Sequence, residues 1–173
     1  TTSATNKLII GPNATVQNNS GTQNYINGNL EMYYNTGYPS LLFRIGDNAG
    51  YRPVEIGFVN VTSPGSILMR TFNSDHSGIA SSGIDSTKSV NRYWDVRKNG
   101  GNYDNIYMTL NWDASEMDTI GNPGNYDVSK YSIGNGWQPV NVFSRGGTSI
   151  QVNNLFSFSE FQVGEPAPPG TFL

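Results

Sequence analysis

The sequence predicts an all-β protein, a two-sheet antiparallel β-sandwich of jelly-roll or immunoglobulin-like type with roughly nine to eleven short strands. Three observations point there. Apolar residues alternate with polar ones at period two along most of the chain, no window sustains the i, i+3, i+4, i+7 spacing of a helix, and Gly, Asn and Pro turn signals recur at short intervals.

The elements follow in order. Asn27-Gly28 marks a hairpin within Tyr25–Tyr33. Val54, Ile56 and Phe58 alternate with Glu55 and Gly57; Val90, Trp94 and Val96 share a face opposite Asn91, Tyr93, Asp95 and Arg97; Ile106, Met108, Leu110 and Trp112 alternate with Tyr107, Thr109 and Asn111. Each is the pattern of a strand with one buried face, which places Trp94 and Trp112 in the core. Turns are expected at Gly11-Pro12-Asn13, Gly46-Asp47-Asn48, Ser63-Pro64-Gly65, Asn99-Gly100-Gly101, Asn122-Pro123-Gly124, Gly134-Asn135-Gly136 and Arg145-Gly146-Gly147. The one segment with helical chemistry is Asp113-Ala-Ser-Glu116, where Asp113 can cap a turn and Glu116 can reach back in a capping box. Near the end, Phe156 and Phe158 are out of phase with Phe161 and Val163, and a bulge at Ser159–Glu160 is expected to absorb the change.

Composition narrows the function. The 173 residues suit a single sandwich domain over 1–173, with 1–10 a candidate donor strand and 165–173 a proline-rich tail. Only 13% of residues are charged, and Asn, Ser, Thr and Gly supply the polar surface, in the manner of secreted proteins. A net charge of −3 gives no field for nucleic acid. The longest apolar runs fall far short of a membrane span. With no cysteine, thiol catalysis, cysteine-based zinc sites and disulfides are absent, and the balance favours an exported bacterial protein. No charged and then apolar leader opens the chain, so any export signal is expected to have been removed.

Several segments, taken together, resemble a module of large exported proteins of Bacteroidota-type and related bacteria: Tyr25–Tyr33, Phe-x-Ile-Gly-Asp at Phe43–Asp47, Tyr-Arg-Pro-Val at Tyr51–Val54, Asp75-His76, Ser-Gly-Ile-Asp at Ser82–Asp85, Val-Asn-Arg-Tyr-Trp at Val90–Trp94 and Ser-Phe-Ser-x-Phe-x-Val-Gly at Ser157–Gly164. The resemblance covers most of residues 25–165. It implies a β-sandwich unit of secreted or cell-surface architecture, often set among repeats and without an assigned reaction, and it carries no catalytic residues across.

Catalysis finds little support in the residues. Asp75-His76-Ser77 holds triad residue types, but a triad needs convergence from separate elements, and the chain has one histidine. Asp113, Glu116 and Asp118 cluster, yet the capping box accounts for two of them. Calcium is possible at Asp47, Asn48, Asp75 and Asp85, without an EF-hand pattern. Arg92 shares the inward face of its strand and must find a carboxylate, with Asp85 and Asp104 as candidates. Trp137 and Tyr131, with Tyr33, Tyr34 and Tyr38, could form an aromatic platform for a polysaccharide, or could simply pack across strands.

The leading expectation is a non-catalytic, self-associating extracellular structural subunit, secreted or at the cell surface. Its partners are copies of itself, added head to tail into a fibre or surface layer. Strand addition would use Leu8, Ile9 and Ile10, with Phe172 and Leu173 as a second contact. The alternative is a carbohydrate-binding or adhesive module.

Overall fold

A computed structural model describes residues 6–12, 14 and 24–168. Among these, fifteen strands follow one another: β1 Lys7–Ile10, β2 Ile26–Asn27, β3 Asn29–Tyr34, β4 Ser40–Phe43, β5 Ile45–Asp47, β6 Gly50–Tyr51, β7 Val54–Val59, β8 Ser63–Phe72, β9 Ile84–Asn102, β10 Asn105–Asn111, β11 Asp127–Ser132, β12 Gly136–Val140, β13 Val142–Arg145, β14 Ser149–Leu155 and β15 Glu160–Pro166. The architecture is all-β, as the alternation predicts. A seven-stranded sheet runs β1-β3-β8-β9-β15-β11-β12, a five-stranded sheet runs β13-β14-β10-β7-β4, and β2-β5-β6 make a small third sheet. Pairing is antiparallel except for β1 on β3 and β2 on β5, which are parallel.

One apolar cluster joins the two large sheets. Leu30, Ile67, Met69, Trp94, Val96, Phe161 and Val163 from one meet Val54, Ile56, Phe58, Ile106, Met108, Leu110, Ile150 and Val152 from the other. These are alternate residues of their strands, so period-two patterning is what supplies the buried face, at about 1.5–3 kcal/mol for each large side chain removed from water. Trp94 and Trp112 are core residues, as their phase predicts. Along one flank the chain leaves the edge strand β12, passes Asn141 and becomes the edge strand β13 of the other sheet. Pro139 within β12 has no N–H to offer a further strand, which suits an edge. The opposite flank is bounded by β1 and β4.

Five expectations need correction. Asn27-Gly28 does not close a hairpin, because β2 pairs with β5 in the small sheet while β3 pairs with β1 and β8 in the seven-stranded one. Fifteen strands exceed the nine to eleven expected, in part because β2, β5 and β6, two or three residues each, lie where turn residues dominate. Nor are all strands short, since β9 runs for 19 residues. Ser63-Pro64-Gly65 and Asn99-Gly100-Gly101 are not turns but paired ends of β8 and β9, with Gly65 opposite Gly100. Between Asn102 and Asn105 the chain passes from the seven-stranded sheet to the five-stranded one. The phase change at Phe156–Phe161 is no bulge: β14 belongs to the five-stranded sheet and β15 to the seven-stranded one, so inward and outward exchange as the chain crosses over. Irregular register in β15 comes later, around Gly164.

Candidate functional site

The polar residues of the sequence motifs gather into two clusters. The first is buried. Arg92, fully inaccessible on β9, donates from Nη2 to Glu116 Oε1 at 2.5 Å, from Nε to Glu116 Oε2 at 3.1 Å, and from Nη1 to Asp47 Oδ2 at 2.6 Å and Thr71 Oγ1 at 2.7 Å. Arg52 Nε adds bonds to both Glu116 oxygens, at 3.0 and 2.9 Å. Glu116 also accepts from Asp113 N at 2.9 Å, because the turn Ala114–Glu116 closes the capping box expected from sequence. Burial pushes the Glu116 carboxyl up, but the hydrogen bonds of Arg92, Arg52 and the Asp113 N–H, with the charge of Arg92, outweigh it and hold the group below the usual carboxylate range.

Two cations and two anions thus balance inside the sandwich, tying β9, the β5–β6 hairpin and the Ala114–Glu116 turn together. Asp85 and Asp104 are not the partners of Arg92. Asp85 turns outward to accept from Thr87 N at 2.9 Å, being an odd number of residues away on the same strand, and Asp104 lies beyond the far end of β9, accepting from Asn60.

The second cluster lies on the outer face of the seven-stranded sheet. The loop after β8 folds His76 over it. His76 Nε2 meets Glu160 Oε2 at 2.6 Å, while Nδ1 accepts from Gly78 N at 2.9 Å. An Nδ1 that accepts must be unprotonated, so Nε2 carries the proton and donates to Glu160. Both ring nitrogens are therefore engaged in hydrogen bonds. The ring packs edge-on against Tyr93 and Trp137, at 5.1 and 4.9 Å between centroids. Behind it Gln162 accepts from His76 N at 2.9 Å and donates to Asp75 Oδ1 at 3.1 Å, which also accepts from Ser89 Oγ. Burial, reinforced by the charge of Asp118, raises the Asp75 carboxyl against the opposing bonds of Ser89 and Gln162. The His76–Glu160 contact joins residues 84 apart, and no local spacing announces it.

Other expected site residues part company. Tyr131 and Trp137 are direct cross-strand partners on β11 and β12, with ring centroids 5.4 Å apart. Tyr34 is not with them: it is core, 1% exposed, packed on Phe58 at 4.4 Å. It alternates with Leu30 and Met32, a phase that reading the tyrosines as a group overlooks. Trp137 also walls a groove of about 620 Å³ with Ser82, Asn141 and Arg145. Asp47, Asp75 and Asp85 serve three separate sets of partners, and among the described residues no three His, Asp or Glu side chains converge as metal ligands.

Leu8, Ile9 and Ile10 occupy the chain's own edge. β1 lies parallel to β3 in the register Leu8↔Leu30 and Ile10↔Met32. Lys7 pairs with the carboxylate of Glu31, which is buried and also accepts from Ser66 Oγ at 2.5 Å. Asn29 Nδ2 donates to Asn6 O at 3.0 Å. Leu8 and Ile9 remain 41% and 51% exposed. Phe172 and Leu173 lie outside the described residues.

No family model, curated protein or solved structure matches this chain.

Proposed function

We propose that the chain is a non-catalytic extracellular structural module, which joins copies of itself by exchanging β1. The observation that carries the reading is the way β1 is held. Among the described residues its only ladder partner is β3, it is four residues long, and Leu8 and Ile9 stay exposed. Residues 11–25, fully extended, reach up to roughly 50 Å, so the β1 of one copy can lie on the β3 of another and make the same contacts there. Exchange of identical contacts costs little, and non-reciprocal exchange does not close on itself, so it yields a fibre. The non-catalytic half of the reading is supported by the engaged imidazole of His76 and by the balanced charges around Arg92.

Light scattering over a concentration series tests it. The intact chain grows with concentration, and a chain lacking residues 1–10 stays monomeric. The partners are then located with a cysteine pair, Ile10→Cys with Met32→Cys, in a chain that has no other cysteine. Oxidation should produce a ladder of linked chains on a non-reducing gel. A bond formed wholly within monomers, or growth that survives the deletion, overturns the proposal.

A further inference from the structure

We infer that the outer face of the five-stranded sheet carries a second site, a platform for a neutral saccharide built from Tyr107, Phe143, Gln151 and Asn153. These four residues line a hollow of about 270 Å³, and its two aromatics are conspicuously wet for their type, Tyr107 at 38% and Phe143 at 67% exposed.

The backbone is shaped around them. Tyr107 stands opposite Gly57 on β7, and a Cβ added to Gly57 would fall 1.9 Å from the tyrosine ring. The ring therefore leans across bare backbone instead of standing off the sheet. The β10–β14 ladder slips between Ile106 and Met108, at Tyr107, and the β13–β14 ladder slips between Val142 and Ser144, at Phe143. Phe143 is thus the extra residue of one irregularity, and Tyr107 faces the two β14 residues, Asn153 and Asn154, of the other; irregularities of this kind re-aim side chains. The shared strand β14 also holds Asn154 at a φ of 54°.

The lining states the ligand's chemistry. Gln151 Nε2 donates to Thr109 Oγ1 at 3.2 Å, and Asn153 Oδ1 accepts from Asn141 Nδ2. Those bonds leave the Gln151 carbonyl as an acceptor and the Asn153 NH₂ as a donor, a pairing that matches hydroxyls, which both give and take. None of the four residues is charged, so an anion or cation would find no counter-charge, whereas a sugar ring can lay its C–H face on the aromatics and its hydroxyls on the amides. The platform lies on β10, β13 and β14, while β1 edges the opposite flank of the other sheet, so it stands independently of strand exchange.

Affinity electrophoresis through gels containing soluble β-glucan, xylan, galactomannan or alginate tests the inference. The chain should be retarded in at least one of the three neutral polysaccharides. Phe143→Ala, at a position too exposed to threaten folding, should weaken that retardation at least tenfold, as should Tyr107→Ala, whereas Trp137→Phe should leave it unchanged. Migration unaffected by every neutral polysaccharide, retardation by alginate alone, or retardation that Phe143→Ala leaves intact would each overturn it.

Discussion

At the residue scale, Glu116 is the side chain on which most depends. It serves three donors at once, the guanidinium groups of Arg92 and Arg52 and the Asp113 N–H, and it is only 5% exposed. Removing it leaves Arg92 with Asp47 as its anionic partner and leaves Arg52 with the backbone carbonyls of Tyr51 and Ala49. Breaking a buried ion pair from one side costs about 3–5 kcal/mol, so Glu116→Ala should lower the free energy of unfolding by that order, read from the midpoint of a urea transition. Arg92→Met should cost less, because Arg52 still neutralises Glu116 and the Asp47 carboxylate left behind is partly exposed. An equal or larger loss for Arg92→Met would mean that the charge network is not what holds this end of the sandwich. Sequence revealed half of this arrangement. The inward phase of Arg92 demanded a carboxylate and the Asp113–Glu116 spacing announced a capping box, but nothing in one dimension says that these two requirements are met by the same glutamate.

At the scale of elements, β1 is the strand whose attachment is tied to an ionisable group. Burial pushes the Glu31 carboxyl up, but hydrogen bonds from Lys7 and Ser66 and the charge on Lys7 prevail and hold it below the usual range. A carboxyl lowered in the folded state contributes stability that is present above its unfolded pKa of about 4.3 and is lost as pH falls through the lower folded value. Acid should therefore loosen β1 before it loosens the centre of the sheet. Hydrogen-exchange protection factors, corrected for intrinsic rates, should fall for Leu8–Ile10 below about pH 4 while those of β9 persist. Glu31→Gln should reduce protection of β1 already at neutral pH and flatten its dependence on acid. If β1 and β9 lose protection together, the Lys7–Glu31 pair does not govern docking. The β-prone apolar run Leu8–Ile10 was legible as strand, but its destination was not. Pairing register depends on which edge lies within reach, and neither the parallel seat on β3 nor the role of Glu31 leaves a mark on local spacing.

At the scale of the molecule, the question is whether two large sheets and a small one behave as one folding unit. Inside and outside were legible because period two marks the buried face of β7, β9 and β10 directly. Sheet order was not, because residues that follow one another, such as β12 and β13 or β14 and β15, belong to different sheets. Those crossings have a physical consequence: no sheet can be completed without chain that also builds the other. The apolar cluster draws on both, and the Arg92 network fastens the β5–β6 hairpin of the small sheet to the middle of the large one. A single cooperative transition is therefore expected. Far-UV dichroism, which reports the strands, and tryptophan fluorescence, which reports Trp94 and Trp112 in the core and Trp137 near the β12 edge, should give coincident denaturant curves. Refolding should be slow, in milliseconds to seconds, because pairings such as β9 with β15 join distant segments. Separate curves for the two probes would show that one sheet survives without the other, and the coupling through shared crossings would then be wrong.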